Sequence, residues 1–256
     1  MTAAQRRRAE SDSDWSDEGR SSQYHPRANG LGRAAEQGDA AAVRSLSAGG
    51  AEIDAWVPGG RRALDLAVCA GHAEVVRLLL AAGADPRIDA GPYGEATPLA
   101  LAAMNGHTDI ARALLDAGAP PGGPAGRMRY VPLVLAATSA ESGNPPLVDL
   151  LLDRGADIEE TMRDRTPLDW AARFGYPATV ERLLARGAAL TGRTLREGRE
   201  GERFTARATP GTRRPDHQAV RALLAAARES PDVAPRRAGN AGPVTAPAPR
   251  APAVTA

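Results

Sequence analysis

One residue recurs at a nearly fixed interval. Leu31, Leu64, Leu99, Leu133 and Leu168 stand 33, 35, 34 and 35 positions apart. A glycine follows seven positions after four of them (Gly38, Gly71, Gly106, Gly175), and another nineteen after the same four (Gly50, Gly83, Gly118, Gly187). The Leu133 unit carries three extra residues, so its glycines are Gly143 and Gly155. An interval this long belongs to a supersecondary unit, and units that repeat in register stack to share a core. Whatever one unit does, its neighbours do.

The stretch Thr97 to Ala119, TPLALAAMNGHTDIARALLDAGA, shows what that is. The Thr97 hydroxyl can cap a helix, and Pro98 suits the first helical position, where no N–H is needed. Leu99, Leu101, Ala102 and Ala103 give that helix an apolar face, and Asn105-Gly106 ends it. A second helix spans about Thr108 to Ala117, with Ile110, Ala113, Leu114 and Leu115 on its buried stripe. Helices of two or three turns are unstable alone in water, so each pair needs neighbours. The blocks TPLALAAMNGH, RALDLAVCAGH and TPLDWAARFGY are each followed by Val or Ile, a Leu pair and Gly-Ala. They resemble ankyrin repeats, whose period is about 33 residues. The resemblance covers Leu31 to Leu190 and implies an all-α solenoid of stacked helix-turn-helix units with hairpin-like loops. It also implies a non-catalytic protein-interaction module with no cofactor.

Composition agrees. Hydrophobic residues make up 43% of the 256 residues but aromatics only 4%, so the core is built from Ala, Leu and Val, as thin helix pairs require. A net charge of +1 gives no global attraction to nucleic acid or membrane. Cys69 is the single cysteine, which excludes an internal disulfide and reads as a packing residue. No apolar run approaches the roughly 18 residues of a membrane span. Acids rather than an apolar segment follow Arg6-Arg7-Arg8, so no signal peptide is read, and a cytoplasmic protein is expected. No nucleophile–base pair, phosphate loop or zinc spacing points to catalysis. His72 and His107 read as structural, hydrogen-bonding nearby loop groups rather than holding a metal.

In chain order, residues 1–30 read as a disordered arm containing the acidic stretch SDSDWSDE around Trp15. Residues 31–190 hold about five repeat units. The second unit opens Arg62-Ala63-Leu64-Asp65 in place of Thr-Pro-Leu-His, a lost cap expected to cost about 1 kcal/mol. Trp170 reads as core. Residues 191–214 carry seven Arg against three acids without apolar periodicity, and read as an Arg/Gly-rich insertion or loop. Residues 215–230 read as a capping helix, and 231–256 as a disordered Ala/Pro tail.

The resemblance places partner contacts at the ends of the first helices, which line a concave face, and on the loop fingers between units. Carried onto this sequence these are Trp56, Tyr93, Met104, Asn105, Arg127, Met128, Arg129, Tyr130, Met162, Arg163, Arg165, Arg173 and Phe174. Arg, Met and aromatics are enriched at interface hot spots. Residues 31–190 hold 20 acids and 15 Arg, yet Arg127, Arg129, Arg163, Arg165 and Arg173 fall on two adjacent units. Such a patch on an acidic body favours an acidic peptide with an apolar anchor. The chain's own N-terminal arm is one such peptide, though the patch lies about 30–40 Å away at roughly 10 Å per unit. Nucleic-acid binding through Arg193 to Arg214 is the alternative, with an enzyme accessory subunit behind it.

Overall fold

The structure, a computed structural model, describes residues 26–57, 60–89, 96–123, 130–139, 142–205 and 215–229. Within them lie twelve helices in six pairs: α1 (Pro26–Gln37), α2 (Ala40–Ala48), α3 (Ala63–Ala70), α4 (Ala73–Ala81), α5 (Pro98–Met104), α6 (Thr108–Asp116), α7 (Pro132–Thr138), α8 (Pro145–Asp153), α9 (Pro167–Phe174), α10 (Pro177–Ala185), α11 (Gly192–Thr205) and α12 (His217–Glu229). The extended pairings among these residues are two isolated bridges, Val57 with Arg61 and Met162 with Arg165. Odd-numbered helices stack on one another as an inner layer and even-numbered ones as an outer layer. The all-α solenoid expected from the spacing is the fold.

The five leucines that mark the period are all buried. They alternate along the stack with outer-layer pairs such as Ile110/Leu114, Val148/Leu151 and Val180/Leu183. Caps fall where the residues dictate. Thr97 Oγ1 accepts the Ala100 N–H at 3.1 Å, Thr166 Oγ1 accepts that of Asp169 at 3.2 Å, and Asn144 caps α8 through Leu147 N at 3.1 Å. The glycine at each inner-helix end does more than turn the chain. A Cβ on Gly71 would lie 3.0 Å from the His107 ring, and one on Gly38 would meet His72 at 2.7 Å. His72 and His107, the N-caps of α4 and α6, thus seat on the glycine of the unit before. His72 Nε2 lies 3.0 Å from the Glu36 carbonyl, the loop hydrogen bond expected of it.

Two expectations are corrected and one is extended. First, α1 begins at Pro26, so the boundary drawn at residue 30 falls inside a helix. Second, the side-chain cap is lost as expected, but Arg62 is held in another way. Its side chain is 1% exposed and folds back on Asp65, with Nε and Nη2 donating to the two carboxylate oxygens at 3.1 and 3.0 Å. Its backbone N–H donates to the same carboxylate at 3.0 Å, and Nη2 also reaches the Ile88 carbonyl at 2.7 Å. A guanidinium cannot accept the N–H that the missing hydroxyl would take, but the buried fork ties the second unit to the finger beyond it.

Third, the segment read as an insertion is the inner helix of a sixth unit. The buried positions of α11 are Thr194, Glu197, Gly198 and Gly201, an i, i+3, i+4, i+7 stripe of helical period. The periodicity is there, written in polar and small residues. A Cβ on Gly201 would stand 2.2 Å from the Arg173 carbonyl oxygen, and one on Gly198 would stand 2.8 Å from Leu224. Only glycine lets α11 lie this close to α9.

Candidate functional site

The turn between Met162 and Arg165 forms the tip of the fifth unit's finger. Arg163 and Asp164 both take left-handed backbone, φ 54° and 60°. Met162 N donates to the Arg165 carbonyl at 3.0 Å, closing a hairpin of the I′ kind, which ordinarily wants Asn-Gly. The Asp164 carbonyl accepts a hydrogen bond from Arg193 at the start of α11. From this hairpin Arg165 lays its guanidinium over the Trp170 ring, 5.3 Å from the centroid, while Trp170 Nε1 donates to the Met162 carbonyl at 3.0 Å. Phe174 stacks between Trp170 and Tyr176, with centroids 5.8 Å apart on each side.

Glu197 of α11 reaches into this cluster. Oε1 lies 2.7 Å from Arg165 Nε and Oε2 lies 2.7 Å from Arg173 Nη1. Burial alone raises a carboxyl, but the hydrogen bonds and charges of Arg173 and Arg165 outweigh it and hold Glu197 below the usual range. One turn before it, Thr194 Oγ1 donates to Asp169 Oδ1 at 2.7 Å. Thus two of the five arginines expected to form a basic patch are taken by the chain's own carboxylate. Their partner lay in the segment read as a loop. Arg127 and Arg129, with Met128 and Tyr93, lie outside the described residues. Arg163 stands exposed at the hairpin tip.

The other expected contact residues are spread along the stack. Met104, at the end of α5, is 44% exposed, and is the exposed large hydrophobic among the described residues. Asn105 beside it is exposed and closes the helix by donating Nδ2 to the Leu101 carbonyl at 2.8 Å. Trp56 is half-buried, with the Arg62 guanidinium 5.7 Å from its ring centroid. Tyr130 and Met162 are half-buried and pack against the core. The structure therefore gathers Met162, Arg165, Arg173 and Phe174 around Trp170 and leaves Met104 and Asn105 as a separate exposed spot two units away.

Sequence reasoning missed the ties between fingers. Asp54 accepts the Asp85 N–H at 3.1 Å, Glu160 accepts the Gly123 N–H at 3.0 Å, and Glu159 accepts the Ala189 N–H at 2.7 Å. Each carboxylate crosses to a neighbouring finger. Burial pushes both Glu159 and Glu160 up from the usual carboxyl range, against the N–H each accepts. Burial likewise pushes the Cys69 thiol up, which suits a packing residue rather than a thiolate. Among the described residues no group of His, Cys, Asp and Glu is placed to hold a metal, and no helix is long and apolar enough to cross a membrane.

The family model described as ankyrin repeats (3 copies) matches residues 31–125 and 88–162, and the single ankyrin repeat model matches residues 163–194. The sixth pair lies almost wholly beyond these matches. The crystal structure of the human ASB11 ankyrin repeat domain is similar at a TM-score of 0.62 and 22% identity, covering 80% of this chain and 84% of that one. At that identity the likeness is one of fold. No curated protein matches the chain.

Proposed function

Because the chain belongs to the ankyrin repeat family, we propose that it is a non-catalytic module that binds a partner protein along its inner helix ends and fingers. Repeats of this kind generally serve protein–protein interaction. The observation that carries the reading here is Met104, a large apolar side chain 44% exposed at the end of an inner helix, beside an exposed amide and above a buried core. Met is an adaptable contact residue. Arg163 lies two units further on, about 20 Å at helix-packing distances. A partner segment in extended form covers that distance in about six residues. The partner we propose therefore offers an apolar anchor to Met104 and an acidic group toward Arg163. The cytoplasmic setting expected from the sequence goes with this proposal.

The nucleic-acid alternative rested on a free basic segment from Arg193 to Arg214. Within its described part, Glu197 is buried against two arginines of the stack, and Arg193 is engaged by the fifth finger. No observation favours that reading over the first. The test is affinity capture from the native cell with the full chain and with Met104→Glu. The expected result is a protein held by the wild type and lost by the variant at unchanged helical circular dichroism. Equal capture by both sinks the assignment of the contact face, and salt-sensitive retention of nucleic acid alone by both sinks the protein-binding reading.

A further inference from the structure

Glu197 is held the way a bound ligand is held. Oε1 faces Arg165 Nε and Oε2 faces Arg173 Nη1, each at 2.7 Å, so two guanidiniums share one carboxylate with one oxygen apiece. The arginines belong to the fifth unit and the carboxylate to the sixth. This clamp has supports of its own. Arg165 lies over the Trp170 ring, the Trp170 indole N–H holds the Met162 carbonyl of the same hairpin, and Arg173 sits in the last turn of α9. The acids nearby do not cancel it. Asp164 is exposed at the hairpin tip beside Arg163. Asp169 accepts the Thr166 N–H and the Thr194 hydroxyl, and it lies in the first turn of α9, where the positive helix end offsets its charge. The low-lying Glu197 carboxyl reports the balance, since hydrogen bonds and charges that overcome burial favour an anion here.

The helix that fills the clamp is weakly built for an inner helix. Where α5 and α7 bury Leu and Ala, α11 buries Thr194, Glu197, Gly198 and Gly201. Glycines within a helix weaken it. A buried ion pair recovers little beyond the cost of taking its charges out of water. An end unit has one neighbour instead of two, and such units open before the rest of a stack.

We propose that the α9 face beneath α11 is a second partner-binding surface, with Glu197 as its built-in occupant, and that the partner is an acidic helix whose carboxylate takes the place of Glu197 between Arg165 and Arg173. The contacts of α11 say which helix fits. A Cβ at Gly201 would stand 2.2 Å from the Arg173 carbonyl oxygen, so glycine must follow the acid by four positions. Thr194 meets Asp169 from three positions before the acid, so a hydroxyl belongs there. Gly198 clears Leu224 of α12, which leaves together with α11, so the partner needs no glycine at that step. The partner motif is therefore Ser or Thr, an acid three positions on, and Gly four positions beyond the acid. The acidic arm around Trp15 lies outside the described residues and lacks this pattern, because the residue four before Gly19 is Trp15. The surface is two units from Met104 and does not depend on the contact proposed there.

The probe is the α11 segment itself, Gly192–Thr205, made as a dye-labelled peptide with Arg196→Lys joined to Glu200 through a lactam that holds the helix; both positions are exposed in α11. Its fluorescence anisotropy is titrated against the full chain. In the wild type the internal helix competes, and apparent affinity is reduced by the fraction of molecules whose seat is open. Gly201→Ala in the chain forces α11 from α9 and should raise peptide affinity by about tenfold or more. Glu197→Gln in the chain weakens the internal occupant without adding bulk and should raise affinity by a smaller factor, which keeps the test intact if Gly201→Ala does not fold. A peptide that itself carries Glu197→Gln should bind the opened chain about tenfold more weakly, as should the unaltered peptide when Arg173→Gln is added to that chain. Met104→Glu should leave peptide affinity unchanged. Equal affinity for the wild type and both opened chains overturns the proposal, as does a Glu197→Gln peptide that binds as tightly as the unaltered one. Loss of peptide binding in Met104→Glu overturns a separate surface.

Discussion

The junction between α5 and α7 and the junction between α9 and α11 join the same kind of helix in the same stack by different means. The first is apolar throughout: Leu99, Ala102 and Ala103 meet Leu133, Ala136 and Ala137, all buried. Its stability comes from apolar area removed from water in close packing, so it scales with surface and falls where a cavity opens. The second buries Thr194, Glu197 and Gly201 against Asp169, Arg173 and the backbone, with Gly198 beneath Leu224 of α12. It depends on directed hydrogen bonds and on the absence of two side chains. A junction of this kind fixes one geometry and fails sharply when a partner is removed. The stack is therefore held by packed apolar area in its middle and by directed polar contacts at its C-terminal unit.

The comparison can be broken most forcibly at Leu133. Leu133→Ala leaves a cavity in the apolar junction and should cost about 2–5 kcal/mol, read as a lower urea midpoint for the whole stack. Gly201→Ala should cost less, about 1–3 kcal/mol, because a methyl group placed against the Arg173 carbonyl forces α11 away from α9. Its effect should be local, with amide exchange quickening in α11 and α12 while α3 to α8 hold. A global loss as large as that of Leu133→Ala would show that the sixth unit is not a separable end.

Glu197→Gln should give the smallest effect of the three, about 1–2 kcal/mol, since both arginines keep some access to water and Gln retains one acceptor. The same residue sets a pH dependence. Glu197 is held below its ordinary range in the folded chain, so its contribution is present above the unfolded value of about 4.3 and is lost as pH falls through the lower folded value. Acidification through that window should release α11 protection in the wild type. In Glu197→Gln the step attributable to this group should be absent, and an unchanged step would assign the transition elsewhere.

Legibility followed the same divide. Leu31, Leu64, Leu99, Leu133 and Leu168 and the glycines at fixed offsets specified the stacked pairs because apolar burial leaves a periodic trace. Thr97 announced its cap by residue type. The Arg62 fork gave no such sign, because nothing local says that a guanidinium will fold back on Asp65 and on a carbonyl 26 residues away. Helix α11 was hidden because its buried stripe is polar and small, and with it went the partner of Arg165 and Arg173. At the candidate site, exposure of Met104 and Asn105 at an inner-helix end was legible from position in the repeat. The pairing of the arginines was a tertiary matter between residues 24 and 32 positions apart.

The carboxylates that cross from finger to finger have a consequence for how such a surface meets another molecule. Asp54, Glu159 and Glu160 hold described parts of neighbouring loops to one another in the folded chain. Immobilising a side chain on association costs about 0.5–1.5 kcal/mol, and here part of that ordering is already complete before encounter. The tied loops then present themselves in two stiffened groups, one holding Asp54 and Asp85 and one holding Gly123, Glu159, Glu160 and Ala189. Arrival at such a group needs little rearrangement, so competing molecules would arrive at similar rates and be sorted by how long each remains.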